Sequence, residues 1–269
     1  MALDLMKRVV KPTLKSLLYP LYERRLYSHL DFAETPHHIG VILDGNRRWA
    51  KANPSHDGDI SSARGHKIGA SKIIDLLDWC EETQVKVVTL WLLSNQNLHR
   101  PAEELQPLLE IIGDTVDALA DTGRWEIRPV GSMELLPQAL RDRLESVATA
   151  TKGIEGVVVN VAVGYGGRSE IADAVRSMIA GMAREGKSPE EMASAVSVEE
   201  ISKYLYTAGL PDPDLVIRTS GEQRLGGFLL WQSAHSEFYF CEAYWPDFRR
   251  MDFLRALRAY SQRHRRFGV

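Results

Sequence analysis

The chain has 269 residues, of which 44% are hydrophobic and 26% are charged, and its formal net charge is −3 at pH 7. A chain of this length lies near the upper limit for one hydrophobic core, and this apolar fraction is sufficient to build it. The small net charge provides no general attraction to nucleic acid, so we expect no nucleic-acid partner. Cys80 and Cys241 lack the spacing of a disulfide framework or a metal site, so we expect both to be reduced and packed.

Both ends of the chain are basic. Residues 1–30 contain six Lys or Arg and two acidic residues, and residues 249–269 contain seven Arg and one acidic residue. Such ends can contact an anionic membrane surface or lie over a diphosphate site, although solvated or dimer-contacting tails are the simpler interpretation. The helical spacing of apolar residues predicts a basic helical segment over residues 1–35, interrupted early by Pro12.

The apolar segments of the sequence bear on its expected location. No stretch approaches the roughly twenty apolar residues of a membrane span, and the N-terminus has no uninterrupted signal-peptide core. We therefore expect a cytoplasmic protein, with peripheral contact at the inner membrane face as the alternative that the basic ends allow.

The segment His38–Lys51, which reads HIGVILDGNRRWAK, predicts a buried strand that ends in a carboxylate. An uninterrupted aliphatic run precedes Asp44, as is typical of a strand covered on both faces. Gly45 allows a close backbone approach, and Arg47 and Arg48 can neutralise phosphate. These residues indicate a magnesium-assisted diphosphate site. A capped strand end with a surface ion pair is the alternative interpretation.

Three further apolar segments repeat this pattern: Val85–Leu93, Gly156–Val163 and Asp214–Ile217. Each leads into a polar loop that is rich in glycine, amide or arginine residues. Strands in a parallel sheet end at the same edge, so all four loops should lie together. The sequence therefore predicts an α/β fold, a single domain with a mainly parallel central sheet flanked by helices.

The segments between these strands have helical periodicity. One predicted core-facing helix carries Ala70, Ile73, Ile74, Leu77 and Cys80, and Pro101 begins a second that carries Leu105, Leu108, Leu109, Ile112, Val116 and Leu119. Capping-box spacing predicts a short helix after Ser197, preceded by a polar loop or irregular helix over Gly186–Ser197. The chain has no Walker motif, and Gly164–Ser169 reads as a strand-to-helix turn because it lacks the third glycine of a dinucleotide loop.

An ordered series of motifs resembles that of the cis-prenyltransferases, the family that includes undecaprenyl diphosphate synthase. The motifs are HIGVILDGNRRW, GHKIGASK at Gly65–Lys72, SNQNLHRP at Ser94–Pro101, VAVGYGGRSEI at Val161–Ile171, the long segment Asp214–Phe240, and WPDF at Trp245–Phe248. The aspartate-rich box of the trans-prenyltransferases is missing. The resemblance covers about residues 36–265 and implies a catalytic domain over residues 36–269.

The resemblance implies a role for each matching residue. Asp44 resembles the aspartate that positions Mg²⁺ on the diphosphate, and Glu237 matches a second acidic magnesium position. Asn97 matches the position credited with helping to remove the proton from isopentenyl diphosphate. Arg218 and Arg224 resemble the arginines that bind this substrate. The other implied substrate contacts are Gly45, Asn46, Arg47, Arg48, Trp49, His66, Ser94, Asn95, Gln96, Leu98, Arg100, Leu225 and Gly226.

Several residues depart from the family pattern. Gln96 replaces a glutamate, Leu98 a tryptophan, Gln223 a histidine and Gly226 a serine, while Ser62 is the nearest match to an arginine of the mobile loop. These departures concern loop closure and the isopentenyl diphosphate contacts. The main aspartate and arginines are retained.

Leu92 bears on the length of the product. In the family the residue two before the serine of the SNQN-type motif lines a hydrophobic tunnel, and long-chain enzymes tend to have a small residue there. The bulky Leu92 therefore indicates a short-chain enzyme that makes (2Z,6E)-farnesyl diphosphate from geranyl diphosphate, unless this residue only packs the sheet.

The resemblance thus implies a homodimeric, Mg²⁺-dependent enzyme that condenses isopentenyl diphosphate with a short allylic diphosphate. One alternative is a medium- or long-chain polyprenyl diphosphate synthase. Another is a noncatalytic, prenyltransferase-like subunit that stabilises an active synthase.

Overall fold

The computed structural model describes the backbone of residues 19–267 and the side chains of residues 19–263. A helix, α1, occupies residues 19–28 of this range. Residues 1–18, which hold most of the predicted basic helical segment, lie outside the described residues. The division into a segment over residues 1–35 and a catalytic domain over residues 36–269 therefore stays a prediction.

Six strands form one sheet. They are β1 (His38–Ile42), β2 (Val87–Ser94), β3 (Glu126–Val130), β4 (Val158–Tyr165), β5 (Leu215–Arg218) and β6 (Glu237–Phe240). Their order is β3-β4-β2-β1-β5-β6, and every neighbouring pair is parallel. The carboxyl ends of all six strands therefore lie at one edge of the sheet.

Helices cover both faces of the sheet. They are α2 (Asn46–Ala52), α3 (Ser62–Glu82), α4 (Ala102–Asp121), α5 (Gln138–Thr151), α6 (Gly167–Arg184), α7 (Pro189–Ala195), α8 (Val198–Ser202) and α9 (Arg250–Phe267). Short 3-10 turns lie at Phe32–Glu34, Asn95–His99, Met133–Leu135 and Trp245–Asp247.

Two hydrophobic clusters hold these layers together. The larger cluster packs α3, α4, α5 and α9 against one face of the sheet, with Leu77 and Leu254 fully buried in it. The smaller cluster lies on the other face and packs the loop between β5 and β6 through Phe228 and Leu229. The same loop contains Arg224, so the buried Phe228 ring holds this arginine at the edge of the sheet.

The predicted α/β fold is confirmed, and the four predicted strands correspond to β1, β2, β4 and β5. Some details differ. Leu43 lies just beyond the end of β1, and Pro101 caps α4 instead of beginning it. The predicted loop or irregular helix before Ser197 contains α7, and the full capping box lies there, between Ser188 and Glu191. Among the described residues, no helix is long and apolar enough to cross a membrane.

Candidate active site

A cleft of about 600 Å³ opens at the carboxyl ends of β1, β2 and β5. Its mouth is polar and contains five arginines, whereas its inner end lies between β2, α3 and α4 and is apolar. The polar lining residues are Asp44, Asn46, Arg47, Arg48, His66, Ser94, Gln96, Asn97, Arg100, Thr115, Arg218, Glu222 and Arg224. Most of the predicted site residues are therefore brought together in one cavity.

The backbone at the exit of β1 fixes the position of Asp44. The Asp44 amide donates to the Thr219 hydroxyl at 2.9 Å, and this hydroxyl donates to the Asp44 carbonyl at 2.7 Å. Thr219 follows β5, so these bonds join the ends of two neighbouring strands. Gly45 then turns the chain at φ 105°, and a Cβ there would lie 2.7 Å from the Tyr244 ring. Only glycine accommodates both this backbone conformation and this close contact.

Two arginines hold the Asp44 carboxylate. Arg218 Nη2 lies 2.8 Å from Oδ2, and Arg48 Nη2 lies 3.2 Å from Oδ1. Burial alone would raise the pKa of Asp44, but the hydrogen bond from Arg218 and the charges of Arg218 and Arg48 outweigh it and lower the pKa. Asp44 is therefore ionised at neutral pH, as a metal-binding carboxylate must be.

The ion pairs continue from Arg48 to the loop after β5. Glu222 Oε1 lies 3.1 Å from Arg48 Nη1, and Glu222 Oε2 lies 2.6 Å from Arg224 Nη1. Arg48 also donates to the Ser220 hydroxyl at 2.7 Å. The cleft mouth thus carries a row of alternating charges in the spatial order Arg218, Asp44, Arg48, Glu222 and Arg224.

A second part of the mouth has positive charge in excess. His66, Arg100 and Arg47 lie together there, and burial followed by the charges of Arg100 and Arg47 lowers the pKa of His66 to about 4. The His66 Nε2 atom is buried and has no hydrogen-bond partner. Burial and the charge of Arg47 also lower the pKa of Arg100, whereas the negative charge of Glu104 opposes this shift. Glu104 also pairs with Arg47 at 3.3 Å. An anion in this position would relieve the repulsion among these groups.

The turn after β2 presents amide side chains to the cleft. Ser94 caps the 3-10 turn by accepting a hydrogen bond from the Asn97 amide at 3.1 Å. This leaves the side chains of Gln96 and Asn97 at the cleft wall.

The inner end of the cleft is apolar. Leu92 lines it from β2, where its side chain is half-buried and packs against the larger hydrophobic cluster. The facing wall consists of Ile73 from α3 and of Leu108, Ile111 and Ile112 from α4. This end can accommodate a hydrocarbon chain.

Four predicted substrate contacts lie outside the cleft lining. Trp49 donates its indole N–H to Asp247 at 2.8 Å and is covered by the Arg64 guanidinium, so it joins α2 to the 3-10 turn at Trp245–Asp247. Asn95 packs against the turn that begins α6, Leu98 packs against the larger hydrophobic cluster, and Leu225 packs against the smaller one. In this structure these four residues pack against the elements that form the cleft and do not line it.

Glu237 does not lie near Asp44. It begins β6 and is paired in register with Leu215, which in turn is paired with Ile39, so it lies at the amino edge of the sheet. Its carboxylate pairs with Arg263 at 2.9 Å. Asp44 follows the opposite ends of these strands, five residues beyond the level of Glu237, or about 17 Å along the strand direction at 3.3 Å per residue. The two residues of one chain therefore cannot hold the same metal ion. The assignment of Glu237 as a second acidic magnesium position therefore stays a prediction, and within one chain it concerns a place apart from Asp44.

Glu222, Trp91 and Trp245 also line the cleft, although the sequence analysis did not assign them to the site. Trp91 stacks on Phe228 with ring centroids 5.2 Å apart. A Cβ at Gly226 would lie 3.4 Å from the Trp91 ring. Alternation along β2 places Leu92 on the face of the larger cluster and Trp91 on the face of the smaller one, so the strand pattern gave no signal that Trp91 also lines the cleft.

Comparison with known proteins identifies the family of this chain. Residues 42–268 match the prenyltransferase family described as undecaprenyl diphosphate synthase. The chain is 56% identical over 259 residues to isoprenyl transferase 1 of Streptomyces avermitilis, covering 96% of this chain and 99% of that protein. It is 58% identical over 251 residues to (2Z,6E)-farnesyl diphosphate synthase of Thermobifida fusca, covering 93% of this chain and 97% of that protein.

A solved structure shows the same fold. The crystal structure of lavandulyl diphosphate synthase from Lavandula x intermedia in complex with dimethylallyl diphosphate matches with a TM-score of 0.77 at 30% identity. The match covers 85% of this chain and 96% of that one. The motifs, the fold and these relatives agree, and the chain belongs to the undecaprenyl diphosphate synthase family of cis-prenyltransferases.

Proposed function

We propose that this enzyme condenses isopentenyl diphosphate with a short allylic diphosphate, geranyl diphosphate, to give (2Z,6E)-farnesyl diphosphate and diphosphate. The observation that carries this proposal is the shape and charge of the cleft, whose arginine-rich mouth leads into an apolar end. Such a cavity suits a molecule with a diphosphate at one end and a hydrocarbon chain at the other.

The allylic diphosphate binds, in this proposal, in the part of the mouth where arginines outnumber carboxylates. Arg47, Arg48 and Arg100 surround this part of the mouth together with His66, and the backbone at Gly45 approaches it closely. As the bond to the allylic carbon breaks, negative charge accumulates on the leaving diphosphate. Guanidinium groups held in place before the reaction stabilise this charge.

The residues present fit a Mg²⁺ ion that is carried largely by the substrate. Among the described residues, no group of three or more His, Cys, Asp or Glu forms a site made by protein alone. Mg²⁺ keeps several waters and is commonly bound by one or two carboxylates plus substrate phosphates. Asp44, ionised and half-buried at the cleft mouth, is the carboxylate that would hold it. When bound, the ion would neutralise part of the charge on the leaving diphosphate.

Isopentenyl diphosphate binds, in this proposal, at the loop after β5. Arg218 and Arg224 supply the guanidinium groups, and Gly226 leaves room beside them. The new carbon–carbon bond forms between the allylic C1 and the isopentenyl C4, diphosphate leaves with the electron pair of the broken bond, and a proton is lost from the isopentenyl C2. Asn97 is not basic, so it assists this proton loss by holding the substrate and the proton acceptor in place.

The short product is supported by the bulky Leu92 side chain at the apolar end of the cleft. Leu92 occupies space there that a longer chain would need, and packed cores do not yield readily. The relative from Thermobifida fusca bears the name of the same short-chain activity. A medium- or long-chain product would require a tunnel that continues past Leu92.

We also propose that the enzyme is a cytoplasmic homodimer. Strand β6 lies at the edge of the sheet, and its stacked residues Phe238 and Phe240 are partly exposed, with Phe240 37% exposed. Exposed aromatic residues on an edge strand are typical of a surface that pairs with another chain. Sedimentation analysis gives the molar mass in solution and tests this proposal directly. Peripheral membrane contact through the basic N-terminus stays a prediction, because residues 1–18 lie outside the described range.

One experiment tests the activity. Purified protein is incubated with labelled isopentenyl diphosphate, Mg²⁺ and a panel of allylic primers, and the products are separated by chain length. We expect (2Z,6E)-farnesyl diphosphate from geranyl diphosphate, and no turnover after chelation of Mg²⁺. Asp44→Asn should abolish turnover while the protein stays folded by circular dichroism. A folded Asp44→Asn variant with normal turnover would refute the role of Asp44, and an inactive wild type would refute the function.

A further inference from the structure

We infer that Glu222 is a positioning residue that orients Arg224 for isopentenyl diphosphate. This inference rests on the proposed function and extends it to a residue that the motif comparison did not assign. Glu222 lies at the cleft mouth, between an arginine of each diphosphate site.

The two arginines differ in how they are held. The Arg48 side chain contacts Asp44, Ser220 and Glu222. In contrast, Glu222 is the only carboxylate among the described residues that pairs with the Arg224 side chain, which is 68% exposed. If the Glu222 carboxylate is removed, Arg48 therefore keeps its contacts with Asp44 and Ser220. Arg224 loses the one ion pair that its side chain forms among the described residues.

The geometry leaves donors free for a substrate. Glu222 Oε2 lies 2.6 Å from Nη1 of Arg224, so its Nε and Nη2 donors remain available. An exposed arginine samples many rotamers, and fixing it on binding costs affinity. Glu222 reduces this cost because it holds the guanidinium at the cleft mouth before the substrate arrives. Arg218 assists by donating to the Arg224 carbonyl, which fixes the backbone of the same residue.

A role in folding does not account for this contact. The Glu222 side chain is 27% exposed and that of Arg224 is 68% exposed. Ion pairs with such exposure contribute little to stability, because water and salt screen them. We therefore expect substitutions at Glu222 to change substrate affinity and to leave the melting temperature nearly unchanged.

The test is a double-mutant cycle on the full chain with Mg²⁺. Glu222→Gln should raise KM for isopentenyl diphosphate about two- to tenfold, the range expected from immobilising one long side chain. KM for the allylic primer should stay within twofold of wild type. In an Arg224→Ala background, Glu222→Gln should add no further increase, because the residue through which it acts is absent.

Glu242→Gln is the matched control. Glu242 is an exposed carboxylate beside Gly221 in the same region, and it forms none of the ion pairs of the cleft mouth among the described residues. It should leave both KM values unchanged. The inference would be overturned by equal increases in both KM values for Glu222→Gln, or by a full effect that persists in the Arg224→Ala background. Failure of the wild type to use isopentenyl diphosphate would instead overturn the proposed function.

Discussion

Replacement of Leu92 by Ala should lengthen the product. Leu92 lines the apolar end of the cleft from β2, opposite Ile112 and its neighbours on α4. The change removes three carbon groups from this wall, and the surrounding core relaxes only partly around the space. We expect a shift of the main product from farnesyl diphosphate to products longer by one or more five-carbon units.

The cost in stability follows from the burial of the side chain. Three carbon groups at about 0.8 kcal/mol each give about 2.4 kcal/mol for a fully buried leucine. Leu92 is only half-buried because one side already faces the cleft, so we expect a loss of about 1–2 kcal/mol in the free energy of unfolding. This is a fraction of the stability of a typical domain, and the variant should remain folded.

The assay compares wild type and variant at equal concentrations of geranyl diphosphate and isopentenyl diphosphate, with products separated by chromatography. Leu105→Ala is the control, because Leu105 is also half-buried against the larger hydrophobic cluster but does not line the cleft. Leu105→Ala should lower the free energy of unfolding by a similar amount and leave the length of the product unchanged. An active Leu92→Ala enzyme with the wild-type product distribution, or equal lengthening by Leu105→Ala, would refute this reasoning.

Two further predictions concern the charged mouth of the cleft. Arg224→Ala should raise KM for isopentenyl diphosphate by about tenfold to a hundredfold, because hydrogen bonds to charged groups contribute about 1.5–3 kcal/mol; unchanged dependence of the rate on this substrate would contradict it. The second prediction is that the free enzyme loses stability as the pH falls from 6.5 towards about 4, because the unfolded chain protonates His66 at its ordinary pKa of 6.5 and the folded chain does so only near pH 4. Urea unfolding at pH 7 and pH 5 should show a smaller loss for His66→Gln than for wild type, and an equal loss would exclude His66 as a source of the effect.

The sequence predicted the strands that are buried on both faces. Segments such as Val85–Leu93 consist almost entirely of apolar residues, which is what a central parallel strand requires. Strand β3 was missed because EIRPV alternates polar and apolar residues and contains Pro129. Proline is tolerated there because β3 lies at the edge of the sheet, where one side of the strand needs no hydrogen-bond partner.

Site residues that follow the carboxyl end of a strand could be predicted from the sequence. The position of a residue that depends on how neighbouring strands are aligned could not. Asp44 and Arg218 converge because each follows or ends a parallel strand, and a sequence reveals where such a strand ends. Glu237 has the appropriate chemistry and lies within a matching motif, but it begins its strand. A carboxylate at the amino end of β6 faces the opposite edge of the sheet, and motif similarity alone does not distinguish the two ends.

The ion pairs at the cleft mouth illustrate what a single sequence does not contain. Arg48 and Glu222 are 174 positions apart, and they meet because α2 follows β1 directly while the loop of Glu222 follows the neighbouring strand β5. The same adjacency places Arg218 beside Asp44. Strand order therefore decides which charges neutralise one another and which, like that of Arg100, form no ion pair among the described residues and can attract an anion. The binding preference of the cleft follows from topology as much as from the identity of its residues.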